Sequence, residues 1–115
     1  RKIVDFCAQV LFEKKAVGVR AFDLSQIFYP CEYALVASGT STRHAQSLAE
    51  NVSRSVKEEF GIWPQGTEGL DEGRWVVLDY GSVMVHVFYD FVRQEYSIEH
   101  MWSTSQEISL QEQKS

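Results

Sequence analysis

A chain of 115 residues with 44% hydrophobic side chains, among them seven Phe, five Tyr and three Trp, is sized for one domain around a single core. Eleven basic against sixteen acidic residues leave a formal charge of −5, which argues against a non-specific nucleic-acid grip built on phosphate neutralisation and suits a basic protein surface. Cys7 and Cys31 lie far apart, outside any CxxC or Cys/His cluster, and read as reduced small hydrophobes. With no apolar run long enough to cross a bilayer, the expectation is a soluble cytoplasmic protein.

The first fifteen residues place Ile3, Phe6, Cys7, Val10 and Leu11 at intervals of three and four and close with Lys14 and Lys15, the pattern of an amphipathic helix. From Val17 the spacing changes to alternation through Val19 and Ala21, a short strand ending near Leu24. A connecting segment containing Pro30 leads to the apolar run Tyr33-Ala34-Leu35-Val36-Ala37, a buried strand. Ser38-Gly39-Thr40-Ser41 supplies helix-start chemistry, and Ala45, Leu48, Ala49, Val52, Val56 and Phe60 stripe a helix over about 42–60, stopped by Gly61 and Pro64. Residues 65–74, with three glycines and three acids, read as a mobile surface loop.

Trp75 to Phe88 reads as a β-hairpin near the sheet centre. Trp75, Val77 and Asp79 share one face of its first strand, Met84, His86 and Phe88 one face of its second, and Tyr80-Gly81-Ser82 turns between them. Asp90 starts a short helix, Ile98 to Trp102 forms a last ordered segment, and 103–115 is a polar tail expected to be frayed or disordered. The order α-β-β-α-β-β-α specifies one α/β domain over 1–102, a mixed sheet flanked by helices.

Catalytic chemistry is sparse. The Gly39-Thr40-Ser41 turn stands where α/β folds bind phosphate, yet the second glycine and lysine of a P-loop are absent, as are further dinucleotide-loop glycines. A nucleotidyl transferase would also need paired carboxylates on a neighbouring strand to hold magnesium, and no predicted strand carries Asp-x-Asp or Asp-x-Glu. His44, His86 and His100 are scattered, so no metal site and no cofactor is expected. Asp79 before its turn has an ordinary role in turn hydrogen bonding and a functional one as a carboxylate for a partner's Lys or Arg. Aromatics beside acids on a strand face have the composition of an interface hot spot.

Five segments then carry a resemblance: Ala34 to His44 (ALVASGTSTRH), Glu68-Gly69, Trp75 to Gly81 (WVVLDYG), Val85 to Phe88 (VHVF) and Tyr96 to Trp102 (YSIEHMW). In this order and spacing they resemble the ribosomal silencing factor, or Iojap, family over about residues 1–102. Ser38 stands where that family usually has Thr, and Cys31 and Met101 replace commoner residues. The resemblance implies a nucleotidyltransferase-like fold lacking the catalytic carboxylates, and a non-enzymatic role. Family members bind the L-fourteen protein of the large ribosomal subunit, block joining of the small subunit, repress translation when nutrients are short, and often dimerise. The setting expected is a bacterial-type cytoplasm, with an organellar version as the alternative. By matching position, the partner surface implied comprises Trp75, Val77, Asp79, Tyr80, His86, Phe88, Glu99 and Trp102, with Trp75 and Tyr80 as anchors and Asp79 as the charge. No membrane and no sequence-specific nucleic acid is expected as a partner. The competing reading is an enzyme at the Gly39–Ser41 turn, and a weaker third is an RNA-binding adaptor.

Overall fold

The computed structural model describes residues 2–26, 31–96 and 106–110. Its elements in chain order are α1 (Lys2–Glu13), β1 (Val17–Asp23), β2 (Tyr33–Gly39), α2 (Thr42–Phe60), β3 (Gly66–Glu68), β4 (Trp75–Asp79), β5 (Val83–Tyr89), α3 (Asp90–Tyr96) and β6 (Gln106–Ile108). The strands form one mixed sheet in the order β3-β4-β5-β2-β1-β6. The β2–β5 pair at its centre is parallel and every other pair antiparallel. The parallel pair follows from connectivity: α2 is the start of the crossover that carries the chain from β2 back across the sheet before β4 and β5 return.

Period-two alternation gives the sheet two unlike faces. Leu35, Ala37, Val76, Leu78, Val83, Val85 and Val87 face α1 and α2 and join the helices' apolar stripes in the main core. The other face has a smaller core in which Phe22, Ala34, Val36 and Phe88 pack with Cys31 and with Val92 of α3. Both thiols are free and buried, and burial pushes Cys7 up to about 12, so it packs as a hydrophobe.

The ends of α2 are set as its sequence predicts. Ser41, in extended backbone, accepts the His44 amide at 3.0 Å, and Gly61 ends the helix in the left-handed conformation, where a side chain would be strained. Two sequence expectations change. The 65–74 loop holds an edge strand, β3, and is pinned: the Gln46 amide donates to the carbonyls of Leu70 and Asp71 at 2.9 Å, and the Gly73 amide to Gly69 at 3.0 Å. The 103–115 tail is not wholly a frayed or disordered segment, because Gln106–Ile108 pairs with Ala21–Asp23 and buries Ile108 against the main core. One apolar residue in three sufficed, since a strand needs only its inward side chain to be apolar. The Ile98–Trp102 segment, with Glu99, His100 and Trp102, lies outside the described residues.

Candidate protein-docking face

Register decides which predicted residues meet. Trp75 pairs with Phe88, Val77 with His86 and Asp79 with Met84, so all six lie on the face opposite α1 and α2. Glu68 pairs with Val77 from the outer side and adds a carboxylate to that face. Trp75, Val77 and Asp79 are half-buried there, while Glu68 is exposed.

Trp75 is fixed from two directions. Its ring stacks on Phe88 with centroids 5.0 Å apart, and its indole N–H donates to His86 Nδ1 at 3.1 Å. That bond assigns Nδ1 as acceptor and puts the proton of the neutral imidazole on Nε2. Burial lowers the His86 pKa from 6.5 to about 4, so the ring stays neutral at ordinary pH and the bond is maintained. Phe88 is fully buried and His86 nearly so, which makes them the bed under Trp75 rather than surfaces of their own.

Asp79 performs the turn role read from its position: Oδ1 accepts the Gly81 amide at 2.8 Å. Oδ2 has no hydrogen bond among the described residues, so one carboxylate oxygen is left for an incoming cation.

Tyr80 does not belong to this face. It is buried in the main core beneath α1 and α2, with Ser53 of α2 as the polar group beside its hydroxyl, and burial pushes its pKa up to about 12. The alternation of β4 carries through Tyr80, which falls with Val76 and Leu78 on the helical face, opposite Trp75, Val77 and Asp79. An anchor role for Tyr80 is therefore corrected to a core role.

Arg93 was not singled out by the sequence. Its Nη1 donates to the Gly18 carbonyl at 2.7 Å and to the buried Ser38 hydroxyl at 2.9 Å, tying α3 to β1 and β2 at the border of the face. Phe91, two residues earlier in α3, is 69% exposed, with the Tyr89 ring stacked beside it at a centroid distance of 6.3 Å. Its exposure could not be read from an isolated Asp-Phe-Val triplet.

The Gly39–Ser41 turn is occupied by its own neighbours. His44 Nδ1 accepts the Thr40 amide at 2.9 Å, its Nε2 donates to the Lys14 carbonyl at 3.0 Å, and the His44 and Ala45 amides go to the side chain and carbonyl of Ser41. Amides that would converge on a phosphate are thus spent on closing the turn. A Cβ on Gly39 would come within 2.6 Å of the Ala45 backbone nitrogen, so close packing of helix on strand explains this glycine. Among the described residues no group of three or more His, Cys, Asp or Glu is placed to hold a metal, and no helix is long and apolar enough to cross a membrane.

Comparison with known proteins places this geometry. A family model described as "Ribosomal silencing factor during starvation" matches residues 1–115, including the β6 segment beyond the motifs. The ribosomal silencing factor of Bacillus subtilis is 33% identical over 102 residues, covering 89% of this chain and 86% of that one. The mouse protein named "Mitochondrial assembly of ribosomal large subunit protein 1" is 24% identical over 102 residues, covering 87% of this chain and 45% of its own. A crystal structure from Chromobacterium violaceum superposes with a TM-score of 0.84 at 33% identity, covering 95% of this chain and 89% of the other. One from Bacillus halodurans gives 0.81 at 29%, covering 95% and 98%.

Proposed function

The chain belongs to the ribosomal silencing factor family, and on that premise we propose that it binds the large ribosomal subunit through the L-fourteen protein, blocks joining of the small subunit by occlusion, and so represses translation when nutrients are limiting. The observation that carries the reading is the Trp75–Val77–Asp79 row. It is a half-exposed aromatic held rigid by Phe88 and His86, next to a half-exposed Val and a carboxylate with one oxygen to spare, with Glu68 alongside. A rigid aromatic gives contact area at little entropic cost, and carboxylates fix register against a basic surface. Trp75, Val77 and Asp79 make the contact and His86 and Phe88 support it from below; Glu99 and Trp102, outside the described residues, are assigned to the same partner by the family resemblance alone. Binding by occlusion needs no catalytic group, which accords with the closed Gly39–Ser41 turn. The setting is a bacterial-type cytoplasm, and a homodimer, read out by sedimentation of the protein alone, is part of the same proposal.

The test is subunit joining followed by light scattering. Preincubating large subunits with the protein is expected to reduce joining in proportion to dose, and preincubating small subunits is not. Asp79→Asn keeps the oxygen that accepts the Gly81 amide and removes the charge, so a fold unchanged by circular dichroism with about tenfold weaker large-subunit binding is expected. Undiminished joining with a folded protein would overturn the proposal.

A further inference from the structure

A second surface lies at the opposite side of β3 from the sheet interior. β3 ends the strand order, and Gly66, Thr67 and Glu68 are all exposed, so the outer backbone groups of this edge face solvent. Gly66 does not have positive φ, and a Cβ there would meet nothing within 4 Å. Among the described residues neither backbone conformation nor packing demands glycine at this point, and its effect is to add no side chain to the edge.

Beside the edge, on the α2 side, is a cavity of about 240 Å³ lined by Ala49, Ser53 and Arg54 of α2 and by Trp63, Leu70 and Leu78. Thr67 lines it too, because its partner Leu78 faces the main core. Trp63 is 59% exposed, a large apolar surface over whose ring only the Lys57 ammonium is placed among the described residues, 5.6 Å from the centroid. Gly66 and Glu68 project to the other face. Around the edge, residues 65–74 carry three acids, Glu68, Asp71 and Glu72, against one base, Arg74.

From this juxtaposition we infer that the β3 edge is a docking site for an extended basic segment of a partner protein, which adds a seventh strand to the sheet. Strand addition draws affinity from main-chain hydrogen bonds and specificity from pockets that take alternate side chains. Pairing fixes the pattern of that segment. The residue opposite Thr67 falls on the α2 side, over the cavity, and is large and apolar so as to pack on Trp63 and Leu70. Its two neighbours fall on the other face, where the one opposite Glu68 is a Lys or Arg. The inference shares Glu68 with the sheet-face reading but not Trp75, Val77 or Asp79, so either can fail without the other.

The probe is a labelled peptide, Lys-Val-Lys-Trp-Lys-Val-Lys, titrated onto the full chain by fluorescence anisotropy, with a peptide of scrambled order as control. The expected result is saturable binding lost about tenfold in the scrambled peptide, in Trp63→Ala and in Glu68→Lys, with melting temperatures held near the parent because both residues are exposed. Asp79→Asn is expected to leave peptide affinity unchanged, which separates this site from the sheet-face reading.

Backbone N-methylation gives the decisive arm. Alternate amides of an added strand point at β3, so methylating one alternate set abolishes binding and methylating the other leaves it. Equal effects of the two sets, or binding indifferent to Trp63→Ala, would overturn the inference. So would sedimentation showing that the chain fills this edge with a second copy, through an association broken by Glu68→Lys and not displaced by the peptide.

Discussion

The two faces of the sheet are built from the same strands by the same alternation, and they behave differently. On the helical face Val76, Leu78, Val85 and Val87 are at most 1% exposed, covered by the nineteen-residue α2 together with α1. On the other face the seven-residue α3 packs against β5 and β2 and covers Phe88 through Val92, while Trp75, Val77 and Asp79 remain half-exposed one strand further out. Helix length, rather than strand chemistry, therefore decides which row is core and which is surface. β4 carries both rows: Val76 and Leu78 hold the fold, and Trp75, Val77 and Asp79 are open to a partner.

The largest effect expected from this difference is a contrast between neighbours. Leu78→Ala empties a site walled by α2 and is expected to cost about 2–5 kcal/mol, whereas Val77→Ala, at a partly buried position, is expected to cost less than about 1 kcal/mol. Urea unfolding of the two variants reads the difference directly. Equal losses would mean that the open face is covered as firmly as the helical one.

His86 sharpens the contrast, because a neutral imidazole lies buried under an otherwise half-open face. With a pKa of about 4 in the folded chain against 6.5 when solvated, the unfolded state takes up the proton first as pH falls. The contribution is therefore intact above pH 6.5 and lost progressively down to about pH 4, reaching about 3 kcal/mol at most. In His86→Gln, whose amide oxygen can still accept the Trp75 N–H, the acid-side decline of stability between those pH values is expected to be shallower by that amount. Parallel profiles for parent and variant would place His86 in contact with water.

How far the sequence exposes this arrangement depends on how local each determinant is. α2 was legible to the residue, from Thr42 to Phe60, because its stripe, its Ser41 cap and its Gly61 stop are all written in consecutive residues. That Trp75, Val77 and Asp79 share one face of β4, and Met84, His86 and Phe88 one face of β5, was also legible from alternation, whereas the meeting of the two rows on one face is set by the register of the pair. β3 and β6 were not, because three-residue edge strands carry too few apolar positions to show a period and owe their pairing to β4 and β1. The burial of Tyr80, by contrast, follows from alternation, which sets it with Val76 and Leu78 on the helical face; the anchor role comes from the family resemblance and runs against that pattern. The role of Arg93 depends on Gly18 and Ser38, distant in sequence, and no local pattern announces it.

A smaller effect separates the two supports of Trp75. Trp75→Phe keeps a ring to stack on Phe88 and deletes the N–H bond to His86, so it is expected to cost about 1 kcal/mol of stability in chemical denaturation. Large-subunit binding is expected to fall less than in Trp75→Ala. A loss as large in Phe as in Ala would show that the bond to His86, and not the stacked ring, sets the anchor's position.

The smallest effect concerns the far border of the sheet. Arg20 of β1 grips Glu107 of β6 through two bonds, Nε to Oε2 at 3.0 Å and Nη2 to Oε1 at 2.6 Å, while its guanidinium lies 5.1 Å over the Phe22 ring. Both side chains are more than two-fifths exposed, so solvent screens the pair and Glu107→Gln is expected to cost about 0.5 kcal/mol globally, vanishing near 1 M salt. The local effect is the informative one. β6 is held by three paired residues, the side chain of Ile108 and this bridge, so weakening the bridge should speed amide exchange in 106–108 while β2 and β5 keep their protection. If exchange rises throughout the sheet instead, β6 is an integral strand whose loss unfolds the domain, and the two borders, β6 and the bare β3, differ in kind.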